Sequence, residues 1–276
     1  MSTGADTTRE QAGRSRGGLM HGLRIMGQVL RALTVKDFVV RMRVSRMGML
    51  WILLEPAVGI LVLSSIWFIA GRHALSGVPL VLFIASGYLP FQLLRTAMTQ
   101  MAGAVKSNQA LYDYPNVRPA DAIIARLYLD SSLIYVAGLA IFLVLYLADI
   151  YAGQVHDAFA LLLSLALLQL LALAAAFFFG VLAHLQPAVE KTAEVLGRLM
   201  LFISGVFYDP NIIPEQHLKL LAYNPLLHII AEVRNGLFGL APPPVVNLHY
   251  PLWFAIGMLF IGLAAYENNK YRIMRS

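Results

Sequence analysis

Six stretches of mostly apolar residues, bounded by charged or turn-forming positions, organise the chain: 50–70, 79–101, 122–148, 157–183, 195–208 and 250–266. A hydrocarbon layer about 30 Å thick takes roughly 20 helical residues to cross. Most of the six are close to that length, and the short fifth one lengthens if it begins at Lys191. None alternates with the two-residue period of a barrel strand, so the pattern predicts an all-α integral membrane protein whose six transmembrane helices occupy residues 49–276. Upstream, Leu23, Met26, Leu30, Leu33, Val40, Val44 and Met47 recur mostly at intervals of three or four, while Arg24, Gln28, Arg31 and Arg41 take other faces. That spacing predicts an amphipathic interfacial helix over 21–48; the alternative is a plain basic flank to the first span. Residues 1–20, rich in Gly, Ser, Thr and Arg, read as a disordered cytoplasmic tail.

Between the fifth and sixth spans, 209–240 holds two apolar pieces, about 215–223 and 226–238, separated by the helix-breaking pair Asn224-Pro225. Each is too short to cross. The pattern fits a re-entrant helical pair, or a small cap lying on the outer leaflet.

Composition supports a lipid environment, because 59% hydrophobic and 13% charged residues exceed what one soluble core of 276 residues hides. The charge of +6 reads as topology. Of 21 Lys and Arg residues, Arg9, Arg14, Arg16, Arg24, Arg31, Lys36, Arg41, Arg43 and Arg46 precede the first span. Lys106, Arg118 and Arg126 fall in the next loop on that side, Lys191 and Arg198 in the one after, and Lys270, Arg272 and Arg275 at the C-terminus. Arg72, Lys219 and Arg234 are left for the opposite face. The positive-inside rule then places both termini in the cytoplasm, and no nucleic-acid motif accompanies the charge. No short apolar core with a cleavage site follows the N-terminal charges, so no signal peptide is predicted. The absence of cysteine excludes disulfides, thiolate metal sites and cysteine nucleophiles.

Catalytic patterns are missing. The seven histidines lack His-Glu-x-x-His spacing, and there is no Gly-x-Ser-x-Gly elbow. Gly103-Ala-Val-Lys106-Ser107 lacks the glycine spacing of a phosphate-binding loop, so neither a catalytic nor a metal site is predicted, and any ATP and Mg belong to another chain. The cytoplasmic loop 104–120 is more aromatic than a simple connector, with Tyr112 and Tyr114 before Pro115 and Pro119. It predicts an interaction surface, or else interfacial anchoring by its tyrosines.

Several segments carry a family resemblance. Arg46-Met-Gly48-Met-Leu50-Trp51-Ile-Leu-Leu-Glu55-Pro56 resembles the Arg-x-Gly-x-Leu-Trp-x-x-x-Glu-Pro lead-in to the first span of polysaccharide ABC exporter permeases, the type 2 (ABC-2) class. Gly87-Tyr-Leu-Pro90-Phe91, Asn108-Gln-Ala-Leu-Tyr-Asp-Tyr-Pro-Asn-Val-Arg118-Pro119 with Ile123-Ile-Ala-Arg126, Phe202-Ile-Ser, and Tyr223-Asn224-Pro225-Leu-Leu-His228 follow in order and look like its capsular polysaccharide branch. O-antigen and teichoic-acid permeases are near neighbours. The resemblance implies a six-helix homodimer in the bacterial inner membrane, joined by two ATPase subunits in a 2:2 complex. It also implies a periplasmic co-polymerase or adaptor, an outer-membrane exporter, and a lipid-linked, usually acidic polysaccharide as substrate. By the same resemblance Lys106, Ser107, Asn108, Gln109, Leu111, Tyr112, Tyr114 and Arg118 dock the ATPase, and Arg41, Arg46 and Trp51 sit near the cytoplasmic entrance.

Physical reasoning adds path candidates. A glycan slides over aromatic faces with scattered hydroxyls, which Trp51, Tyr88, Phe91 and Tyr208 supply. Arg95 lies inside a span at a cost of roughly 2.5 to 3.5 kcal/mol at a helix centre, so it faces a wet lumen or snorkels to the inner interface. Glu55-Pro56 reads equally as a bend in the first span. An ion-coupled secondary transporter would need buried acids, for which Glu55 and Asp130 are the marginal candidates; a membrane enzyme would turn over alone.

Overall fold

A computed structural model of the chain describes residues 4–44, 48–114 and 117–275. In chain order the helices are α1 (Gly4–Val44), α2 (Gly48–Ile69), α3 (Leu80–Thr99), α4 (Met101–Ser107), α5 (Pro119–Leu147), α6 (Ala158–Leu185), α7 (Pro187–Ile203), α8 (Glu215–Leu221), α9 (Pro225–Phe238) and α10 (His249–Arg275). Between α2 and α3, β1 (Ala74–Leu75) and β2 (Val78–Pro79) form a hairpin whose turn residues Ser76 and Gly77 both have positive φ, the geometry of a type I′ turn. The sequence reading had no strand there.

Local chemistry sets the helix boundaries. Pro119 opens α5 while the Asp121 carboxylate accepts from the Arg118 backbone N–H at 2.9 Å. Asp157 caps α6 through the backbone N–H groups of Phe159 and Ala160, and Asn224 caps α9 through that of Leu226. Gly239 ends α9 in the left-handed conformation, φ 72°. Pro187 separates α6 from α7 and starts α7 eight residues before the apolar run at 195. The charged residues Glu190, Lys191 and Glu194 hid that start from an apolar count. α10 likewise runs past residue 266, and α1 begins at Gly4, inside the stretch that composition assigned to a tail.

Among the described residues, four helices are long and apolar enough to cross a membrane: α3, α5, α6 and α10 from His249 to Met274. α2 has a shorter apolar core, Leu54–Ile69. α6 is central, packing on α3, α4, α5, α7, α9 and α10. Its contacts with α9 and α10 are made close by glycines: a Cβ on Gly262 would lie 2.8 Å from the Phe178 nitrogen, and one on Gly236 2.7 Å from that of Leu161. Nearly all of α3 is buried. In contrast, α5 and α10 present outward Leu139, Leu147, Trp253 and Phe260, each at least 69% exposed, faces suited to lipid. The helices give the molecule two ends. One carries α4 and the C-terminal turns of α10; the other carries the hairpin, where Ser76 donates to Asp209, and the segment after α9, where Asn211 donates to the Ala241 carbonyl.

Candidate functional site

Toward the α4 end, α1, α2, α3 and α5 meet around a polar cleft of about 70 Å3 lined by Arg41, Glu55, Gln92, Thr96, Gln100 and Asp130, closed on the apolar side by Pro56, Leu133 and Ile134. Asp130, 3% exposed on α5, pairs with Arg41 of α1 and, at 3.5 Å, with Arg126 one turn away. Arg126 also reaches Asp37 of α1 at 3.5 Å. Two arginines and two aspartates thus form a compensated cluster, as charges within a membrane domain require. Across the cleft, Gln92 donates to Glu55 at 3.1 Å and accepts from Arg95 at 3.5 Å. The Arg95 side chain lies against α7, 3.3 Å from where a Cβ on Gly197 would stand. Asp37 escaped the sequence reading because it falls in an amphipathic helix among exposed basic residues.

The remaining path candidates are dispersed. Tyr88 and Phe91 are adjacent, ring centroids 5.8 Å apart, and both are enclosed within the helix bundle, Tyr88 against Gly59 of α2. Tyr208 lies at the opposite end, with its hydroxyl buried. Arg46 lies outside the described residues, as does the side chain of Trp51 in α2.

At the α4 end, Lys106 projects to Glu190 of α7 at 3.4 Å, with both half exposed. Ser107, Tyr114 and Arg118 are exposed; Gln109 and Leu111 are partly so. Asn108 and Tyr112 turn inward. Asn108 is 1% exposed, donates to the Ala104 carbonyl at 2.8 Å and accepts from Lys36 of α1. Tyr112 donates to the Val105 carbonyl at 2.9 Å, and burial raises its pKa. Tyr112, Tyr114, Val117 and Arg118 face Tyr266, Glu267, Lys270 and Tyr271 of α10 across a cleft of about 310 Å3.

At the hairpin end the sequence reading missed a buried arginine. Arg234 of α9, 2% exposed, matches its five N–H donors to five oxygens: Nε to Ser86 Oγ at 3.3 Å, Nη1 to the carbonyls of Gly205 and Tyr208 at 2.7 and 3.2 Å, Nη2 to those of Phe83 and Val206 at 3.2 and 3.1 Å. Its guanidinium lies 3.6 Å from the Phe83 ring centroid. Nearby, Nε2 of His228 bonds the Ala222 carbonyl at 2.8 Å while Nδ1 accepts from the Asn247 backbone N–H at 3.0 Å, an arrangement of the neutral ring. In the count of charges flanking the spans, Arg234 was one more loop arginine; no local signal marked its buried acceptors.

The family model described as ABC-2 type transporter matches residues 28–238, which takes in the cleft, the α4 end and Arg234. The chain is 29% identical to the polysialic acid transport protein KpsM of Escherichia coli over 92% of its own length and 98% of that relative. It is 27% identical to the capsule polysaccharide export inner-membrane protein CtrC of Neisseria meningitidis, and 24% to BexB of Haemophilus influenzae, described in the same words. Each of these two matches covers 89% of this chain and 92% of the relative.

Proposed function

The chain belongs to the ABC-2 type transporter family, and from that premise we propose that it is the permease subunit of an ATP-driven exporter of lipid-linked, acidic capsular polysaccharide in the bacterial inner membrane. The observation that carries this reading is similarity to capsule export proteins along nearly the whole of both chains, at 29% identity over 92% of this one for KpsM. The lack of phosphate-binding-loop spacing in the sequence supports placing ATP and Mg on a separate nucleotide-binding subunit.

In this reading α2, α3, α5, α6, α7 and α10 make six crossings, α1 lies along the inner leaflet, and α8 and α9 form the re-entrant pair. The enclosure of α9 by α3 and α6 supports that depth, since backbone ends within a bilayer need protein around them. Both termini and α4 are cytoplasmic. Two copies bind two ATPase subunits through the exposed part of the loop, Lys106, Ser107, Tyr114 and Arg118; Asn108 and Tyr112 hold that loop from within. A periplasmic adaptor and an outer-membrane exporter continue the route. Ion-coupled transport is less favoured, because Asp130 is paired with two arginines and Glu55 with Gln92.

The test is affinity isolation of the tagged chain from native membranes. Recovery of a Walker-motif ATPase in equal proportion, lost when the exposed loop residues are replaced by a Gly-Ser linker in a chain that still inserts, is the expected result. A chain recovered alone under conditions that preserve its oligomer refutes the reading.

A further inference from the structure

The way α1 is held on the bundle is unusual for an apolar protein. Among its described side chains only Leu33 and Asp37 are buried, while Val35, Val39, Val40 and Met42 point outward. Its long-range ties are instead polar: Lys36 to the Ser107 carbonyl and Asn108, Asp37 to Arg126, Arg41 to Asp130. A helix attached by charges is released by whatever exchanges those charges.

Arg41 stands where exchange is possible. Its side chain is 22% exposed, whereas its partner Asp130 is 3% exposed. Both line the polar cleft, where Gln92, Thr96 and Gln100 offer neutral hydrogen-bonding groups. Among the described residues, one oxygen of Asp130 has no hydrogen-bond partner and is met by the Arg126 contact at 3.5 Å. If Arg41 turns to another anion, Asp130 closes on Arg126 and is not left as a bare buried charge. The second arginine makes the exchange feasible.

We propose that Asp130 is an internal stand-in for an anionic lipid headgroup: a lipid-borne phosphodiester at the cleft takes Arg41 from Asp130, and α1 swings from α5 to open the way into the protomer. This deepens the permease reading and rests on it, since the headgroup is taken to be that of the lipid-linked substrate. The guanidinium suits the task, because its planar donor fork serves a carboxylate and a phosphate alike.

The chain has no cysteine, so labels on Val39→Cys of α1 and Tyr128→Cys of α5, both exposed, report the α1–α5 distance without background. Full-length protein is placed in nanodiscs of phosphatidylcholine alone, of phosphatidylcholine with phosphatidylglycerol, and of phosphatidylcholine with inorganic phosphate in the buffer. Spin-label distances are then measured. Within each copy, the expected result is a short distance in the first and third arms, and with phosphatidylglycerol a second population longer by roughly 5–10 Å, on the scale of a helix spacing; dilution with unlabelled chain removes the distances between copies. Asp130→Asn shows the longer population in phosphatidylcholine alone, and Arg41→Gln removes the dependence on phosphatidylglycerol. An unchanged distance with phosphatidylglycerol in the otherwise unaltered protein overturns the proposal, even if neither variant folds. An equal response to inorganic phosphate overturns the lipid-borne source. Recovery of the ATPase from native membranes is scored separately, so the exchange can fail while the permease reading stands.

Discussion

Replacing Arg234 tests whether the hairpin end is held by one guanidinium. Arg234→Met removes five hydrogen bonds and leaves an apolar chain of similar length beside Phe83. Ser86 keeps its bond to the Phe83 carbonyl, so neither of these groups is stranded. The carbonyls of Gly205, Val206 and Tyr208, which follow the end of α7, depend on the arginine. An unpaired buried carbonyl costs about 1–3 kcal/mol, so three give roughly 3–5 kcal/mol after partial relaxation. At about 2–4 °C per kcal/mol for a chain of this size, the expected fall in Tm is roughly 6–20 °C. Arg234→Lys keeps the charge but presents a point donor with three protons, and should recover less than half of the loss. The assay is intrinsic tryptophan fluorescence on heating detergent-solubilised protein. A Tm for Arg234→Met within 2–3 °C of the original, roughly 1 kcal/mol, refutes the pin, and full rescue by lysine refutes the role of the fork.

Three further outcomes follow from the packing. Gly262→Ala should lower Tm by several degrees, about 1–3 kcal/mol, by driving α10 off the α6 backbone; Gly257→Ala on the same helix, with nothing within 4 Å, serves as the silent control. Nδ1 of His228 accepts from the Asn247 backbone N–H, a bond that protonation of the ring removes, so its contribution is present while the ring is neutral and is lost as pH falls. Acidification from pH 7.5 to 5 should therefore loosen the α8–α9 region, seen as faster amide exchange, and His228→Asn should flatten that dependence. Tyr112→Phe, losing one buried bond to Val105, should cost about 1 kcal/mol while leaving ATPase recovery intact, whereas Arg118→Glu at the exposed surface should do the reverse.

The long apolar helices were legible because lipid demands continuous runs, and α3, α5 and α6 begin and end within three residues of their predicted limits. α7 was legible only in its second half, since an amphipathic helix with Glu190, Lys191 and Glu194 near its start does not look like a span. The break at Asn224-Pro225 was readable from turn chemistry, and α8 and α9 stand on either side of it. The sites were harder. Arg234 and Asp37 acquire their roles from partners on other elements, Arg234 from carbonyls 26 to 29 residues upstream as well as from Ser86, and Asp37 from Arg126, and no periodicity encodes such partners. In the loop at 104–120, the sequence grouped outward and inward residues together because composition has no direction; the helical turn of α4 sends Lys106 out and Asn108 in.

Export of a polysaccharide made inside the cell is read most directly from where that polymer lies when this chain is absent. In a strain lacking the gene, lipid-linked polysaccharide should accumulate in the cytoplasm and disappear from the surface, with both restored by the original chain. Normal surface polymer in that strain, or loss of the polymer from cytoplasm and surface alike, would contradict the account, the second outcome by placing the chain in synthesis.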